Sequence, residues 1–282
     1  MIVLQSASQV QKACLEAKQQ GKKTGLVPTM GYLHEGHISL VKKAVEQCDL
    51  VIVSIFVNPI QFGVGEDYEV YPRDAERDKR LLEEAQADIL FLPAVSEMYP
   101  DGFSAFIEVE GEITSQLCGA SRPGHFRGVT TVVGKLFNLC QPDFAYFGQK
   151  DAQQVIIIEK MVRDLNYPVS IVRMPIIREA DGLALSSRNV YLDGEQRQQA
   201  LALKKALDQA KKDIKSGVRE VELIKQNMER IIRHSPQANI DYISINDAQD
   251  LKVLQKAEGP ILIALAVKFG PTRLIDNCFL EV

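Results

Sequence analysis

The apolar run DLVIVSIFVN at residues 49–58 limits the possible folds more than any other segment of the sequence. Its β-branched residues favour a strand. They occupy consecutive rather than alternate positions, which is typical of a parallel sheet covered by helices on both faces. The run is too short to cross a bilayer. It therefore predicts a buried strand of an α/β protein.

Helical and strand patterns alternate on both sides of this run. The predicted helices lie at residues 7–20, 36–48, 74–86, 129–140 and 150–165. The predicted strands lie at residues 23–29, 49–58, 87–93, 143–148 and 169–177. This order indicates a Rossmann-like parallel sheet with helices on both faces and right-handed crossovers. Ligands of such sheets bind beyond the carboxyl ends of the strands.

The pattern changes after about residue 176. Amphipathic helices are predicted at residues 193–217 and 221–234, and strands at residues 239–247, 260–270 and 272–280. Three strands that follow one another closely indicate an antiparallel sheet. We therefore predict two domains, a Rossmann-like domain at residues 1–176 and a smaller α+β domain at residues 177–282.

Charge and cysteine usage exclude several classes of partner. The chain has 282 residues and a formal net charge of -4, whereas general nucleic-acid binders usually carry a basic excess. Five cysteines are scattered without a CxxC pair, which is typical of free thiols in a reducing compartment. No signal peptide pattern follows the first basic residue, Lys12. The sequence predicts a cytoplasmic protein that binds neither nucleic acid nor membrane.

The segment PTMGYLHEGH at residues 28–37 carries two of the four histidines, His34 and His37. A zinc protease helix needs the spacing H-E-x-x-H, and this spacing is one residue shorter. A glycine-rich turn from a strand into a helix directs backbone N–H groups and the positive helix end at one point, where phosphate binds readily. A phosphate site is favoured, and an inert turn with two hydrogen-bonded histidines is the alternative.

This segment resembles the HxGH signature of the nucleotidyltransferase superfamily, and the chain resembles the pantothenate synthetase family, the pantoate–β-alanine ligases. The resemblance extends to four later blocks in the order of that family: FVNPIQFG (56–63), SRPGHFRG (121–128), YFGQKDAQQ (146–154) and LSSRN (185–189). One departure is Ile60, where many members have methionine. The blocks lie within the first two-thirds of the chain.

The resemblance implies an AMP-forming ligase. The carboxylate of pantoate attacks the α-phosphorus of ATP and pyrophosphate leaves; the amine of β-alanine then attacks the pantoyl adenylate and AMP leaves. The resemblance also implies a homodimer. ATP chemistry implies Mg²⁺, for which the sequence identifies no ligands.

The catalytic residues implied by the resemblance are His34, His37, Lys150 and Arg188. The implied ATP contacts are Pro28, Thr29, Met30, Gly31, His34, His37, Gly148, Gln149, Lys150, Asp151, Leu185, Ser186, Ser187 and Arg188. Lys150 is expected to open a helix after a strand and to meet phosphate as a point charge. Asp151 either caps that helix or binds the ribose. The loop 185–189 lies near the predicted domain junction and is expected to close over ATP.

The neutral amides of Gln61 and Gln154 suit the hydroxyl groups of pantoate. Met30, Phe56 and Val133 either form apolar walls of that pocket or belong to the core. Arg122 and His125 lie before a predicted helix, and the resemblance implies that they border the active site.

Three other functions compete with this interpretation. A nucleotidyltransferase that moves AMP or CMP onto a phosphate ester shares the HxGH turn, but it needs neither Gln61 and Gln154 nor this C-terminal domain. The small size and acidic balance disfavour a class I tRNA synthetase. A nucleotide-binding module without catalysis would not need His34, His37, Lys150 and Arg188 together.

Overall fold

The computed structural model describes residues 1–282, and the chain forms two compact units. The strands are β1 (Ile2–Leu4), β2 (Thr24–Thr29), β3 (Leu50–Ile55), β4 (Ile89–Phe91), β5 (Phe144–Gly148), β6 (Ser170–Met174), β7 (Ala238–Asp247), β8 (Pro260–Phe269) and β9 (Thr272–Glu281). The α-helices are α1 (Ala7–Gln19), α2 (Glu35–Gln47), α3 (Ala75–Glu84), α4 (Val95–Met98), α5 (Glu112–Ser115), α6 (Cys118–Ser121), α7 (His125–Cys140), α8 (Ala152–Asp164), α9 (Gly194–Gln199), α10 (Ala202–Lys215) and α11 (Val221–Arg233). Short 3₁₀ helices lie at Pro59–Gln61, Gln149–Asp151 and Ser187–Tyr191. No helix is long and apolar enough to cross a membrane.

The first unit contains a six-stranded sheet with the order β1-β4-β3-β2-β5-β6, and every pairing in it is parallel. From β2 the chain adds β3 and β4 on one side of the sheet, and later adds β5 and β6 on the other. The reversal of strand order therefore lies between β2 and β5, and ligands bind beside such a reversal. The predicted Rossmann-like sheet is confirmed.

Helices cover both faces of this sheet. Val27 of β2 and Val53 of β3 belong to a core cluster that also contains Val41 of α2 and Leu82 of α3. Successive strand residues point to opposite faces, and Leu26, the neighbour of Val27, is also completely buried. On that second face α1 and α7 pack against β2. The continuous apolar run is thus explained by burial on both sides.

The second unit contains an antiparallel three-stranded sheet with the order β7-β8-β9. Its core joins Ala206 of α10, Met228 of α11 and Ile263 of β8. The predicted smaller α+β architecture is confirmed. The first unit comprises Met1–Val109, Arg122–Gly148 and Ile157–Pro175, and the second comprises Glu110–Ser121, Gln149–Ile156 and Ile176–Val282. Residues 110–121 and 149–156 thus group with the second unit, although they precede residue 177, and the functional division at residue 176 stays a prediction.

Three details differ from the sequence-based expectation. Strand β1 was not predicted, because three residues carry too little pattern. Helix α7 begins at His125, four residues before the predicted start, so His125 lies inside the helix. The single helix predicted at residues 193–217 is wrong, because it is divided into α9 and α10.

The division of that helix has a visible cause. The carbonyl of Gln199 accepts a hydrogen bond from the hydroxyl of Ser235 at 3.4 Å. The backbone N–H of Leu203 bonds instead to the carbonyl of Ala200, at 3.2 Å. This bond spans three residues, as in a 3₁₀ turn, so the α-helical ladder is interrupted between α9 and α10.

Helix α7 approaches the 3₁₀ helix Pro59–Gln61 closely at Gly128. A Cβ atom on Gly128 would lie 2.4 Å from the carbonyl oxygen of Ile60 and 2.6 Å from Cα of Gln61. The side-chain amide of Asn58 donates to the carbonyl of Gly128 at 3.1 Å, which ties the two elements together. The position of Gln61 therefore depends on glycine at 128.

Replacing Gly128 by alanine should lower the free energy of unfolding by about 2 kcal/mol, because the new methyl group meets backbone atoms that cannot change rotamer. Gly134→Ala in the same helix is the matched control. Its Cβ would lie 2.2 Å from Cδ1 of Ile107, the end of a flexible side chain. We expect that variant to stay within about 1 kcal/mol of the parent. Urea unfolding measures both, and equal losses would contradict a role of the backbone contact at Gly128.

Candidate active site

The chain leaves β2 through a left-handed turn. Gly31 has φ +82° and Tyr32 has φ 48°, a region that residues with a side chain rarely adopt. A Cβ atom on Gly31 would lie 2.9 Å from Cγ2 of Ile55, so glycine is required there for space as well as for conformation. This turn determines where the following histidines lie.

The carboxylate of Asp78 holds this turn, a role that the sequence did not reveal. It accepts hydrogen bonds from the backbone N–H groups of Tyr32 and Leu33, both at 2.7 Å. Asp78 is 1% exposed, and Nη1 of Arg77 lies 3.6 Å from its carboxylate. Burial raises the pKa of the Asp78 carboxyl, while the two backbone hydrogen bonds and Arg77 act to lower it. The sequence contained one sign of this role: Asp78 lies one helical turn before Leu82, so it is on the same helix face as a core residue.

His34 and His37 form a reciprocal cap at the start of α2. Nδ1 of His34 accepts from the backbone N–H of Gly36 at 3.1 Å, and Nδ1 of His37 accepts from the backbone N–H of His34 at 3.3 Å. The two ring centroids are 4.1 Å apart. Because each Nδ1 accepts, the neutral rings carry their protons on Nε2. The turn thus presents two imidazole N–H donors at a helix N-terminus, where anions bind.

Met30, the residue directly after β2, lies against Gln61. Nε2 of Gln61 is 3.0 Å from Sδ of Met30, and Oε1 of Gln61 accepts from Asn58 at 3.0 Å. The hydroxyl of Tyr99 donates to Oδ1 of Asn58 at 2.8 Å. The hydroxyl of Thr29, the last residue of β2, accepts a hydrogen bond from the backbone N–H of Gly31 at 3.2 Å. Gln61 is therefore held from both ends of its amide.

Two of the three predicted apolar wall residues, Phe56 and Val133, are deeply buried. Phe56 is 6% exposed and Val133 is 3% exposed. The ring of Phe56 lies 5.9 Å from the ring of Tyr99, centroid to centroid. Both side chains contribute to the core, and this burial keeps the alternative of a structural role open.

Arg122 and His125 support the 3₁₀ helix that carries Gln61. His125 Nδ1 donates to the carbonyl of Gln61 at 2.8 Å, since Nε2 accepts from Arg122 at 3.0 Å. Arg122 also forms two bonds to Glu66, at 2.7 and 2.6 Å. Burial acts to raise the pKa of the Glu66 carboxyl, but the hydrogen bonds and charge of Arg122 outweigh it, so that the pKa is lowered. The guanidinium group of Arg122 thus binds Glu66, a partner that the sequence did not reveal.

In the second unit the block that follows β5 begins as a 3₁₀ helix and not as the predicted helix at Lys150. Gln149, Lys150 and Asp151 form that 3₁₀ helix, and α8 starts at Ala152. The side-chain amide of Asn277 donates to the carbonyls of Gln149 and Lys150, both at 2.9 Å. Gly148, the last residue of β5, has open space around the position of a Cβ atom, so a ligand can approach the backbone there.

The neighbouring residues Gln153 and Gln154 of this block differ in burial. Gln153 is 5% exposed; its Oε1 accepts from the backbone of Cys118 at 2.9 Å, and its Nε2 donates to the carbonyls of Ile113 and Gln116. Its amide is therefore committed to holding residues 113–118. Gln154 is only half-buried.

The predicted loop at residues 185–189 contains four candidate ATP contacts, residues 185–188, and this 185–188 loop is well organised. The backbone N–H of Leu185 donates to the carbonyl of Ile177 at 3.0 Å, and the hydroxyl of Ser186 accepts from the backbone N–H of Arg188 at 3.3 Å. Ser187 is 7% exposed and begins the 3₁₀ helix. Asn189, the last residue of the predicted loop, donates to Glu179 at 2.8 Å and to the carbonyl of Ala184 at 3.1 Å.

Comparison with known proteins gives a consistent result. The sequence profile of the family described as pantoate-beta-alanine ligase matches residues 2–279. The pantothenate synthetase of Syntrophomonas wolfei is 62% identical over 282 residues, which is 100% of both chains. The pantothenate synthetase of Moorella thermoacetica is 57% identical over 282 residues, 100% of this chain and 99% of that one.

Solved structures agree with the sequence relatives. The pantothenate synthetase of Thermus thermophilus has a TM-score of 0.94 at 45% identity and covers 99% of both chains. The pantoate-beta-alanine ligase of Francisella tularensis, complexed with beta-gamma ATP and beta-alanine, has a TM-score of 0.81 at 38% identity and covers 99% of this chain and 97% of that one. With a family match along almost its full length, the chain belongs to the pantoate-beta-alanine ligase family.

Proposed function

We propose that this chain joins pantoate to β-alanine through a pantoyl adenylate, with ATP as co-substrate and AMP and pyrophosphate as products. The observation that carries the proposal is the histidine-capped N-terminus of α2, which follows β2 beside the reversal of strand order in a chain of this family. The Francisella tularensis relative complexed with beta-gamma ATP and beta-alanine supports the choice of co-substrates.

The first step needs positioned charge and hydrogen-bond donors rather than a protein nucleophile. A carboxylate oxygen of pantoate forms a bond to the α-phosphorus while the bond to the bridging oxygen of pyrophosphate breaks. We assign the Nε2–H groups of His34 and His37 to the ATP phosphates, because donors aimed at charge that develops at phosphorus stabilise the transition state. Pro28, Thr29, Met30 and Gly31 form the backbone that faces the nucleotide.

Cationic side chains complete the proposed ATP contacts. Lys150 supplies a point charge and Arg188 a planar fork for the phosphates. Gly148 and Gln149 let the nucleotide approach the backbone, and Asp151 is exposed beside them. The remaining proposed contacts of the loop are Leu185, Ser186 and Ser187.

Pantoate is assigned to Gln61 and Gln154, whose neutral amides match its hydroxyl groups and leave its carboxylate free to react. Met30, Phe56 and Val133 supply the apolar surroundings. Arg122 and His125 are assigned to the border of this site, where their bonds to the carbonyl of Gln61 keep that residue in place.

Mg²⁺ is proposed to arrive with ATP. In sites of this kind Mg²⁺ takes most ligands from phosphate and water. It then needs no cage of protein carboxylates, and no cluster of three or more His, Cys, Asp or Glu side chains suited to a metal is present in residues 1–282. When bound, the ion neutralises charge on the leaving pyrophosphate.

We further propose a homodimer in the cytoplasm, with residues 1–176 binding ATP and pantoate and residues 177–282 acting as a lid. All five cysteines are free, which suits a reducing compartment. The dimer follows from the family resemblance, and the lid from the position of the 185–189 loop near the predicted domain junction.

The reaction is tested by following oxygen atoms. Pantoate labelled with ¹⁸O in its carboxylate should transfer one labelled oxygen to AMP, because the attacking oxygen stays on phosphorus when the amine displaces AMP. Mass spectrometry of the nucleotide product measures the transfer. Formation of ADP and phosphate, or of unlabelled AMP, would exclude the adenylate.

His34→Asn and His37→Gln separate phosphate binding from helix capping. Asparagine is a good N-cap residue and glutamine suits the third position of a capping box, so both variants should keep the folded structure. Each variant loses an imidazole Nε2–H, and adenylation measured by pantoate-dependent ATP–pyrophosphate exchange should fall by roughly 100-fold. Thermal unfolding close to that of the parent is the control. A normal exchange rate in His34→Asn would remove His34 from the catalytic residues. A normal exchange rate in His37→Gln would remove His37.

Gln61→Glu tests the pantoate assignment. The substitution keeps an oxygen that accepts from Asn58 but adds a negative charge where the pantoate carboxylate must approach. The KM for pantoate should rise at least about tenfold through like-charge repulsion, while the KM for ATP changes little. Steady-state kinetics with each substrate varied separately gives both values, and equal changes in the two would argue against a pantoate contact.

A further inference from the structure

Two adjacent polar residues of β9, Asp276 and Asn277, are buried in the second unit. Asp276 is 2% exposed and Asn277 is 3% exposed. Neighbouring residues of a strand point to opposite faces, so the two side chains reach different surroundings. Buried polar groups need partners, and both side chains find them in irregular segments.

The amide of Asn277 is used completely on the 3₁₀ helix Gln149–Asp151. Its nitrogen donates to the carbonyls of Gln149 and Lys150, both at 2.9 Å, and its oxygen accepts from Nε2 of Gln149 at 3.3 Å. Bonds to two successive carbonyls determine the orientation of both peptide planes. They therefore determine the direction in which the side chain of Lys150 leaves the backbone.

The carboxylate of Asp276 reaches the other proposed ATP-contacting segment through Arg178. The guanidinium of Arg178 forms two bonds to Asp276, at 2.7 and 2.8 Å, and a third to the carbonyl of Gly182 at 3.0 Å. Arg178 pairs with Ala184 across a short antiparallel bridge. The position of residue 185, where the 185–188 loop starts, follows from that bridge.

We infer that Asp276 and Asn277 are positioning residues for ATP, with Asn277 orienting Lys150 and Asp276 orienting the 185–188 loop through Arg178. This inference rests on the proposed function, which assigns Lys150 and the loop to the phosphates. One strand thereby sets the relative position of two segments that are far apart in the sequence. A displacement of about 1 Å in a phosphate contact can cost roughly 100-fold in rate, so the pair controls turnover without touching the nucleotide.

Asn277→Asp is the informative substitution, because it keeps the shape and replaces two donors by acceptors. The new carboxylate would face the carbonyls of Gln149 and Lys150 and repel them. We expect kcat/KM for ATP in the exchange reaction to fall at least about tenfold, by displacement of Lys150. The KM for pantoate should change less.

Asn246→Asp is the matched control. Asn246 is a completely buried asparagine of β7, in the same sheet, and its amide donates to the carbonyl of Leu251 at 2.7 Å. Its substitution should lower stability and leave the KM for ATP near the parent value. If both variants lose stability and activity in parallel, Asn277 has only a structural role and the inference is overturned.

A double-mutant cycle with Lys150→Met identifies the route of the effect. If Asn277 acts through Lys150, Asn277→Asp should reduce kcat/KM for ATP less than about twofold in the Lys150→Met background, since residues that act together are not additive. A full effect in that background overturns the inference. A normal rate for Lys150→Met by itself would instead reject the proposed role of Lys150, so the two failures are distinguishable.

Arg178→Lys tests the second part of the inference, in which Asp276 orients the 185–188 loop through Arg178. Lysine keeps the charge and cannot form the two parallel bonds to Asp276. The KM for ATP should rise about fivefold or more, and Arg188→Ala should remove most of that increase in the double variant, since both act on one loop. Additive effects of the two substitutions would show that Asp276 and Arg178 do not act through the loop.

Discussion

The two hydrogen bonds from the turn after β2 to Asp78 are the interaction on which the rest of the proposed site depends. They hold Gly31 and Tyr32 in a left-handed conformation that the chain would otherwise disfavour. That turn sets the direction in which α2 begins and therefore where its histidine cap lies. Because the Asp78 carboxylate is buried, the bonds are made in surroundings where water does not compete.

A similar arrangement is found in two irregular segments that carry proposed contacts. His125 bonds to the carbonyl of Gln61 in one 3₁₀ helix, and Asn277 bonds to the carbonyl of Lys150 in another. In each case a buried polar side chain bonds to main-chain groups of a segment that has few regular bonds of its own. The sheet supplies the rigid ends of the strands, and these side chains supply the precision that positioning of reactants requires.

The sequence could predict the parts of the fold that repeat a pattern. The apolar run of β3 and the amphipathic helices gave the parallel sheet, and the motif blocks gave the candidate residues. It could not give the pairings that hold those residues. Tyr32 and Asp78 are 46 positions apart, and Gln149 and Asn277 are 128 apart, so neither pair leaves a local signal. The split between α9 and α10 was missed for the same reason, since Ser235 lies 36 positions from Gln199.

The capping geometry also indicates which proposed phosphate contacts supply hydrogen-bond donors and which supply positive charge. A second proton on either ring of the His34 and His37 pair would set an N–H group against a backbone N–H that now donates to it. The positive end of α2 disfavours added positive charge there as well. The histidines are therefore suited to act as neutral, directional donors. Positive charge for the triphosphate has to come from side chains outside the cap, and in the proposed function Lys150 and Arg188 provide it. Precise support of Lys150 and the 185–188 loop follows as a requirement of the chemistry, because a neutral cap cannot compensate for a displaced cation.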